Sequence, residues 1–562
     1  MKQSILNLVL VIGIAIGLNI IGNHFYGYLD LTEEKRYTLT QPTQNLLQNL
    51  DDVVYVNVLL EGEFPAGFKR LQKATREILD DFRSISGYIE YEFADPIPNN
   101  LPVEEKNNRI KQLQNDGLRA KNLRIRGGKE QKTVRFYPYA VLTYKGRSIP
   151  VDLVGEDIPG MSSHEALNNN VGLLEYKLSN AIQKLQTSRK PVIAFTTSHG
   201  ELPYANTQDI RNELSAFYDV GDLILDSLVQ INAGISVLIV AKPTTSFSEK
   251  DKFKIDQYVM NGGKVIWLID AMNVNLDSIG RAGAYAPYSY TSDLFNLDNL
   301  LFNYGVKFNN SLAMDLRSTQ IPQIIDERGT PQLFPWPYHL MSIPNQNHPI
   351  TKSLGPVNLL FANTLDSFRT KTPVEKTFLL TTSERSKVQL FPMRLSFEIL
   401  KTKPDLATYN KSFQPLGILL EGEFPSLYEN RPKGDFLAVY KQLGFDYKTR
   451  SEPTKMLVVA DGDIISNYAD PAQGRYGRLG FNRYVKHTFA NKDFLINAIE
   501  YMVDDNGVIA ARSKEVKLRL LNEQKAEEEE TKWQIINILM PLLLLLLFGL
   551  GYNYWRRWRY AR

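Results

Sequence analysis

The chain has 562 residues, 43% hydrophobic and 23% charged, with 65 Lys+Arg against 62 Asp+Glu and no cysteine. At about 150 residues per domain this is globular material for two or more domains. The missing thiol excludes a Cys nucleophile, a CxxC redox pair, a thiolate zinc site, an iron–sulfur cluster and a lipidated cysteine.

Residues 5–22 (ILNLVLVIGIAIGLNIIG) form an uncharged run of 18, which at about 1.5 Å per residue nearly crosses a bilayer core of about 30 Å. The following GNHFYGYLD offers no small-residue cleavage site, so the run reads as an uncleaved transmembrane anchor. Within it, Gly13 and Gly17 make a G-x-x-x-G spacing that permits close helix packing.

From residue 51 the text reads DDVVYVNVLLEGEFP, then an amphipathic helix pattern with Phe68, Leu71, Ile78, Leu79 and Phe82 on one face, then the alternating GYIEYEFADP. This predicts a β-α-β unit. YAVLTY, the turn pair Lys145-Gly146 and residues 147–153 predict a hairpin, and residues 168–185 a helix. That order is the order of a thioredoxin-like domain, here without the redox cysteines, so the scaffold carries no function across.

A second unit starts after Pro191. VIAFTTSHGE, ISVLIVAKP and KVIWLID predict buried strands, alternating with helices over NTQDIRNELSAF, opened by Asn206 or Thr207, and over SEKDKFKIDQYVMNGG. Near-continuous Val/Ile/Leu strands between helices imply a parallel, doubly wound sheet with both faces covered, and ligands usually bind at the carboxyl ends of such strands. Residues 273–412 lack clear periodicity. FQPLGILLEGEFP and TKMLVVADGD predict further strands that would complete the same sheet, and NKDFLINAIEYMVDD a helix. The peptide LLEGEFP occurs twice, at 59–65 and 419–425, with unlike flanks; a shared turn geometry or chance explains it better than a domain duplication.

Residues 513–532 are a charge-rich helical stalk, and residues 535–552 (IINILMPLLLLLLFGLGY) a second uncharged apolar run flanked by Trp533, Tyr554, Trp555 and Trp558, as at a membrane interface. Pro541 is tolerated within a membrane helix, where it would mark a kink. Arg556, Arg557, Arg559 and Arg562 follow the second run and only Lys2 precedes the first. Both termini are therefore expected in the cytoplasm, with the large middle region periplasmic. Without Lys2 and those four arginines the 65 basic residues fall to 60 against 62 acidic ones, a formal charge of −2. The basic excess is a topology signal and gives no support to nucleic-acid binding.

No G-x-x-x-x-G-K-[ST] cradle occurs, so the chain encodes no ATP site of that kind. No histidine pair has metal-ligand spacing, and neither metal nor other cofactor is expected. The sharpest polar cluster is Ser198-His199-Gly200-Glu201, at the carboxyl end of a presumed central strand. His199 and Glu201 could pair as acid and base or hold a ligand. A structural turn or ligand contact is favoured over a hydrolase centred on Ser198 and His199, since nothing resembles G-x-S-x-G. Asp461 and Asp463 after MLVVA, and Asp270 closing KVIWLID, are further candidates at strand ends, where capping is commoner than cation binding.

LDLTEEKRYTLTQPTQNLLQNL, TTSHGELPY, SEKDKFKIDQYVMNGGKVIWLIDAMN, MLVVADGD with NKDFLINAIEYMVDD, and NILMPLLLLLLFGLGYNYWRRWR together resemble the GldG family of gliding-motility-associated ABC transporter components, over nearly the whole chain. The resemblance implies a non-enzymatic auxiliary or substrate-binding subunit in the inner membrane of gliding bacteria, beside a separate ATPase and a multi-span permease, with room for oligomers. It also implies an α/β region like that of intraflagellar transport proteins and class I glutamine-amidotransferase-like folds, here without the nucleophilic Cys. The expected architecture is accordingly α/β: a transmembrane helix at 1–22, a thioredoxin-like domain at 23–187, and a doubly wound, amidotransferase-like domain with an insertion at 188–512. A stalk at 513–532, a second transmembrane helix at 533–554 and a basic tail at 555–562 complete it. The competing expectation is a glycan- or peptide-binding module using His199, Glu201, Asp461 and Asp463.

Overall fold

The computed structural model describes residues 13, 38–62, 64–98, 101–127, 130–155, 163–281, 289–290, 294–324, 329–430, 434–513 and 529–560. They fall into two compact units, Met1–Lys514 and Glu515–Arg562. The first apolar run lies outside the described residues except for Gly13, which is helical and exposed; Gly17 and most of the expected stalk also lie outside them.

In the N-terminal module β1 (Val54–Val58), α1 (Ala66–Ile85), β2 (Ile89–Phe93), β3 (Tyr139–Tyr144), β4 (Arg147–Asp152) and α2 (Leu174–Gln186) follow in the order the sequence implies. The sheet order is β2-β1-β3-β4, with β1 parallel to β2 and antiparallel to β3. Lys145 and Gly146 both take positive φ, as the two-residue hairpin requires. Val54, Val56 and Val58 alternate inward onto Leu71, Leu79 and Phe82 of α1 and Leu178, Ile182 and Leu185 of α2. The helix expected over 168–185 is instead two helices, Ser163–Gly172 and α2, separated at Leu173. A helix at Val103–Asn115 and a hairpin of Lys121–Gly127 with Glu130–Phe136 were not foreseen.

The larger module contains β5 (Val192–Thr196), α3 (Tyr204–Ser215), β6 (Asp219–Leu223), β7 (Ile235–Ala241), α4 (Glu249–Met260), β8 (Lys264–Leu268), β9 (Val374–Thr381), β10 (Pro415–Gly422), β11 (Thr454–Val459) and α5 (Asn491–Val503). One seven-stranded sheet runs β9-β10-β11-β8-β7-β5-β6. Strands β11, β8, β7, β5 and β6 are mutually parallel. The parallel sheet expected throughout is thus a mixed one, because β10 runs antiparallel to both β11 and β9. Helix α3 begins at Tyr204 after Pro203, ahead of the expected Asn206 or Thr207.

The buried strands read as unbroken apolar runs because both faces are covered. Val265 and Trp267 of β8 face Phe253, Tyr258 and Val259 of α4. Ile266 and Leu268, on the other face, join Ile210 and Leu214 of α3 and Phe494, Ala498 and Met502 of α5. Each such side chain contributes roughly 1.5–3 kcal/mol on burial. Ser248 caps α4 by accepting the Asp251 N–H, and Gly262 (φ +85°) closes it.

The segment between β8 and β9 folds into small sheets around Trp336, Met314 and Tyr338. It rests on the carboxyl end of the large sheet, where Asn363 accepts the Ala271 N–H and donates its own backbone N–H to Ala460. Gly62 and Gly422 of the repeated LLEGEFP peptides both adopt φ +140°, but residues 59–62 follow β1 outside any strand while residues 419–422 close β10. In the second copy, a Cβ on Gly422 would lie 2.5 Å from the Pro373 carbonyl oxygen.

In the other unit α6 (Glu530–Tyr560) is a continuous helix of 31 residues through Pro541. Among the described residues it is the helix long and apolar enough to cross a membrane; at about 1.5 Å per residue it is about 46 Å long.

Candidate functional site

Strands β6 and β7 lie on opposite sides of β5, so the order of connection reverses between β5 and β7. A crevice at the carboxyl ends of such a pair is where open α/β sheets place ligands. The expected residues are at this end of the sheet, and the loop at 242–248, leaving β7, organises them into two clusters.

The first cluster surrounds His199. Its ring is 3% exposed and stacks on Phe247, with centroids 3.7 Å apart and planes at 12°. Nδ1 lies 3.7 Å from Glu201 Oε1 and Nε2 lies 3.4 Å from Asp251 Oδ2. The His199 backbone N–H donates to Glu201 Oε2 at 2.6 Å, and its carbonyl accepts the N–H groups of Thr244 and Thr245. Gly200 is required between them: its φ is +69° and a Cβ would strike the Thr244 hydroxyl.

Burial alone would lower the His199 pKa, but the carboxylates of Asp251 and Glu201 beside the ring outweigh it and lift the pKa to about 9. Burial likewise pushes Asp251 and Glu201 up, and His199, together with Lys254 and Ser248 at Asp251 and with Thr196 and backbone N–H groups at Glu201, more than reverses that, leaving both below the usual carboxylate range. His199 is therefore an imidazolium clamped between two carboxylates. Ser198 Oγ accepts the Leu225 N–H at 2.7 Å, and no hydrogen bond joins it to His199 among the described residues. The arrangement is not a nucleophile with its base.

His199, Asp226 and Asp251 could offer ligand atoms within 4.8 Å of one another. The Asp251 carboxylate is already engaged by Ser248 at 2.6 Å and by the Lys254 ammonium at 2.8 Å. Lys254 and the imidazolium supply the positive charge a metal ion would bring.

The second cluster unites Asp270, Asp461 and Asp463 around Lys242, which follows β7. Its ammonium lies 2.6 Å from Asp463 and 3.1 Å from Asp270. Asp461 is fully buried, and its two oxygens accept the N–H groups of Leu360 and Asp463, each at 2.7 Å. Burial first, then the neighbouring carboxylates, raises Asp461 well above its ordinary value and Asp270 to about 6, with Lys242 pulling both back. Burial would lower Lys242, but Asp270 and Asp463 hold it above its ordinary value. Lys242 sits at φ +55°, a strained backbone sustained by its ion pairs. Gly462 lets the chains pass, since a Cβ there would come within 2.6 Å of the Lys242 Cβ.

The structure thus gathers Ser198, His199 and Glu201 into one group and Asp270, Asp461 and Asp463 into another. No hydrogen bond or ion pair joins the two groups among the described residues. The residues not foreseen are Lys242, Phe247, Asp251 and Lys254. Two signals were present: a lysine directly after the buried run ISVLIVA, and the Ser248-x-x-Asp251 capping pair at the head of α4.

The crevice at the carboxyl ends of the strands is occupied by the chain's own side chains. Residues 190–498, more than half of the chain, match the family model described as an ABC-type uncharacterized transport system, an auxiliary component. The chain belongs to this family of transport-system auxiliary proteins. Residues 33–143 match a domain of unknown function, DUF7088. An uncharacterized protein of Borreliella burgdorferi is 19% identical over 536 residues, covering 93% of this chain and 92% of that one. Among solved structures, the mmIFT52 N-terminal domain is 13% identical with a TM-score of 0.30, covering 56% of this chain and 97% of that domain.

Proposed function

We propose that the chain is the non-catalytic, membrane-anchored auxiliary subunit of an ABC transporter complex that serves gliding motility, working beside a separate ATPase and a multi-span permease. The observation that carries this reading is the transport-system family match over residues 190–498. The membrane-length helix α6 supports the anchor. Arg556, Arg557 and Arg559 in its last turns favour a cytoplasmic C-terminus, and with the N-terminal apolar run as a second span the intervening region is periplasmic.

A non-enzymatic role is supported by the state of the two clusters. His199 is buried and charge-paired, and Ser198 serves a backbone N–H. The N-terminal sheet order β2-β1-β3-β4, with one parallel and two antiparallel pairings, supports a thioredoxin-like scaffold. The two covered faces of the larger sheet support a doubly wound, amidotransferase-like one.

The test is purification of the full-length protein from its native membrane in mild detergent, with its companions identified by mass spectrometry. An ATPase and a multi-span permease at similar abundance are expected; recovery with envelope proteins and no ATPase would overturn the reading. Because the sequence has no cysteine, a single Cys placed at exposed Tyr476 reports topology cleanly. It should react with a membrane-impermeant maleimide from the periplasmic side.

A further inference from the structure

A cavity of about 790 Å³ lies at the opposite, amino end of the large sheet, within the range of about 300–1,000 Å³ typical of ligand sites. Pro191, Ile235 and Lys264, at the starts of β5, β7 and β8, form one wall, and β4, α2 and the end of α5 form the others.

Two features set this cavity apart from an ordinary gap between modules. Tyr218 lines it and is 6% exposed, yet its hydroxyl has no hydrogen-bond partner among the described residues. The hydroxyl opens onto the cavity, where a ligand group can take up its hydrogen bond. The second feature is unpaired charge of both signs. The Arg147 guanidinium donates to the carbonyls of Leu185 and Thr187, and Lys190 donates to that of Ser215 at 2.8 Å. Neither forms an ion pair among the described residues. Asp504, also in the wall, accepts from the Gln183 side chain at 3.1 Å and from the N–H groups of Asn506 and Ile509. It too has no cationic partner within ion-pair distance among them.

A wall with cations and a carboxylate left without counterions suits a ligand carrying both charges. Both cations are solvent-exposed, so the choice between ligands is one of complementarity: a neutral sugar makes an ion pair with neither sign, and an inorganic anion only with the cations. We propose that this cavity binds a short peptide with free termini, its carboxylate met by Arg147 and Lys190, its ammonium by Asp504, and a backbone amide by the Tyr218 hydroxyl. The assignment stands on the cavity and does not depend on transporter membership.

The test uses the full-length protein in detergent micelles, titrated calorimetrically with tetra-alanine, with the same peptide acetylated and amidated, and with maltotetraose. Free tetra-alanine should bind saturably, and capping either end should weaken binding about tenfold or more, the loss of one charge-assisted pair. Tyr218→Phe should weaken binding several-fold without moving the melting temperature, and Lys190→Gln should weaken the peptide with a free carboxylate more than the amidated one. Equal binding of capped and free peptide, response to maltotetraose alone, or no heat with any peptide at millimolar concentration would overturn the proposal.

Discussion

At the carboxyl ends of β7, β8 and β11 one lysine pairs with two carboxylates, and beside the same 242–248 loop an imidazolium is clamped between two more. At the amino ends of the neighbouring strands β5, β7 and β8, Arg147, Lys190 and Asp504 border an open volume with no ion-pair partners among the described residues. One sheet therefore carries charge in two ways. Where charge is neutralised internally it acts as structure, fixing loops against strand ends. Where it is left unpaired beside a cavity it is available to a ligand. The usual expectation for a doubly wound sheet puts the ligand at the carboxyl ends, and here that end is occupied by Phe247, Thr244 and the segment bearing Leu360.

Substitutions at the two ends should differ accordingly in their effect on stability. Lys242→Met should have the largest effect, because it strands the buried or half-buried carboxylates of Asp270 and Asp463; a loss of about 3–5 kcal/mol is expected for breaking a buried pair, read as the urea midpoint. Asp270 holds its proton up to about pH 6 in the folded state, above the ordinary value. Folded protein then binds more protons than unfolded protein, so this group favours folding at lower pH. Part of the Lys242→Met loss should return at pH 5. An unchanged midpoint at pH 7 would break the comparison.

Phe247→Ala removes a buried ring from His199 and Trp267 and should cost about 3 kcal/mol, with a matching fall in melting temperature. The third prediction concerns pH. With His199 raised to about 9, its contribution is fully present below about pH 6.5 and is lost as pH rises through 9. At about 1.4 kcal/mol per pKa unit, the decline is at most about 3 kcal/mol. Unfolding at pH 7 and 10 should show it in the native protein and not in His199→Gln. Tyr218→Phe, at the cavity, should change stability least, by under about 0.5 kcal/mol, since the hydroxyl it removes has no partner within the protein. A larger loss in the absence of ligand would place Tyr218 among the structural groups.

Much of this scaffold was legible in the sequence. KVIWLID announces β8 because residues on both of its faces are buried, and the Lys145-Gly146 pair announces its hairpin through two positive φ angles. The same reasoning could not give the direction of β10, since an apolar run such as LGILL reads alike whichever way it threads a covered sheet. The strand-end residues Ser198, His199, Glu201, Asp270, Asp461 and Asp463 could be picked out by position. Their partners Lys242 and Asp251 could not, because pairing across loops is set by tertiary packing. The amino-end cavity left no local signal, being assembled from residues between 147 and 509 that no periodicity connects.

The loop at 242–248 touches both charge clusters: Lys242 holds the carboxylates, Thr244 and Thr245 donate to His199, Phe247 stacks on it, and Ser248 caps α4. Opening either cluster therefore strains the other, and local fluctuations that would admit solvent to one are suppressed by both. In hydrogen exchange the amides of Thr244, Thr245, Gly462 and Asp463 should behave as one cooperative unit, exchanging on a common timescale set by large-scale opening of the sheet's carboxyl end.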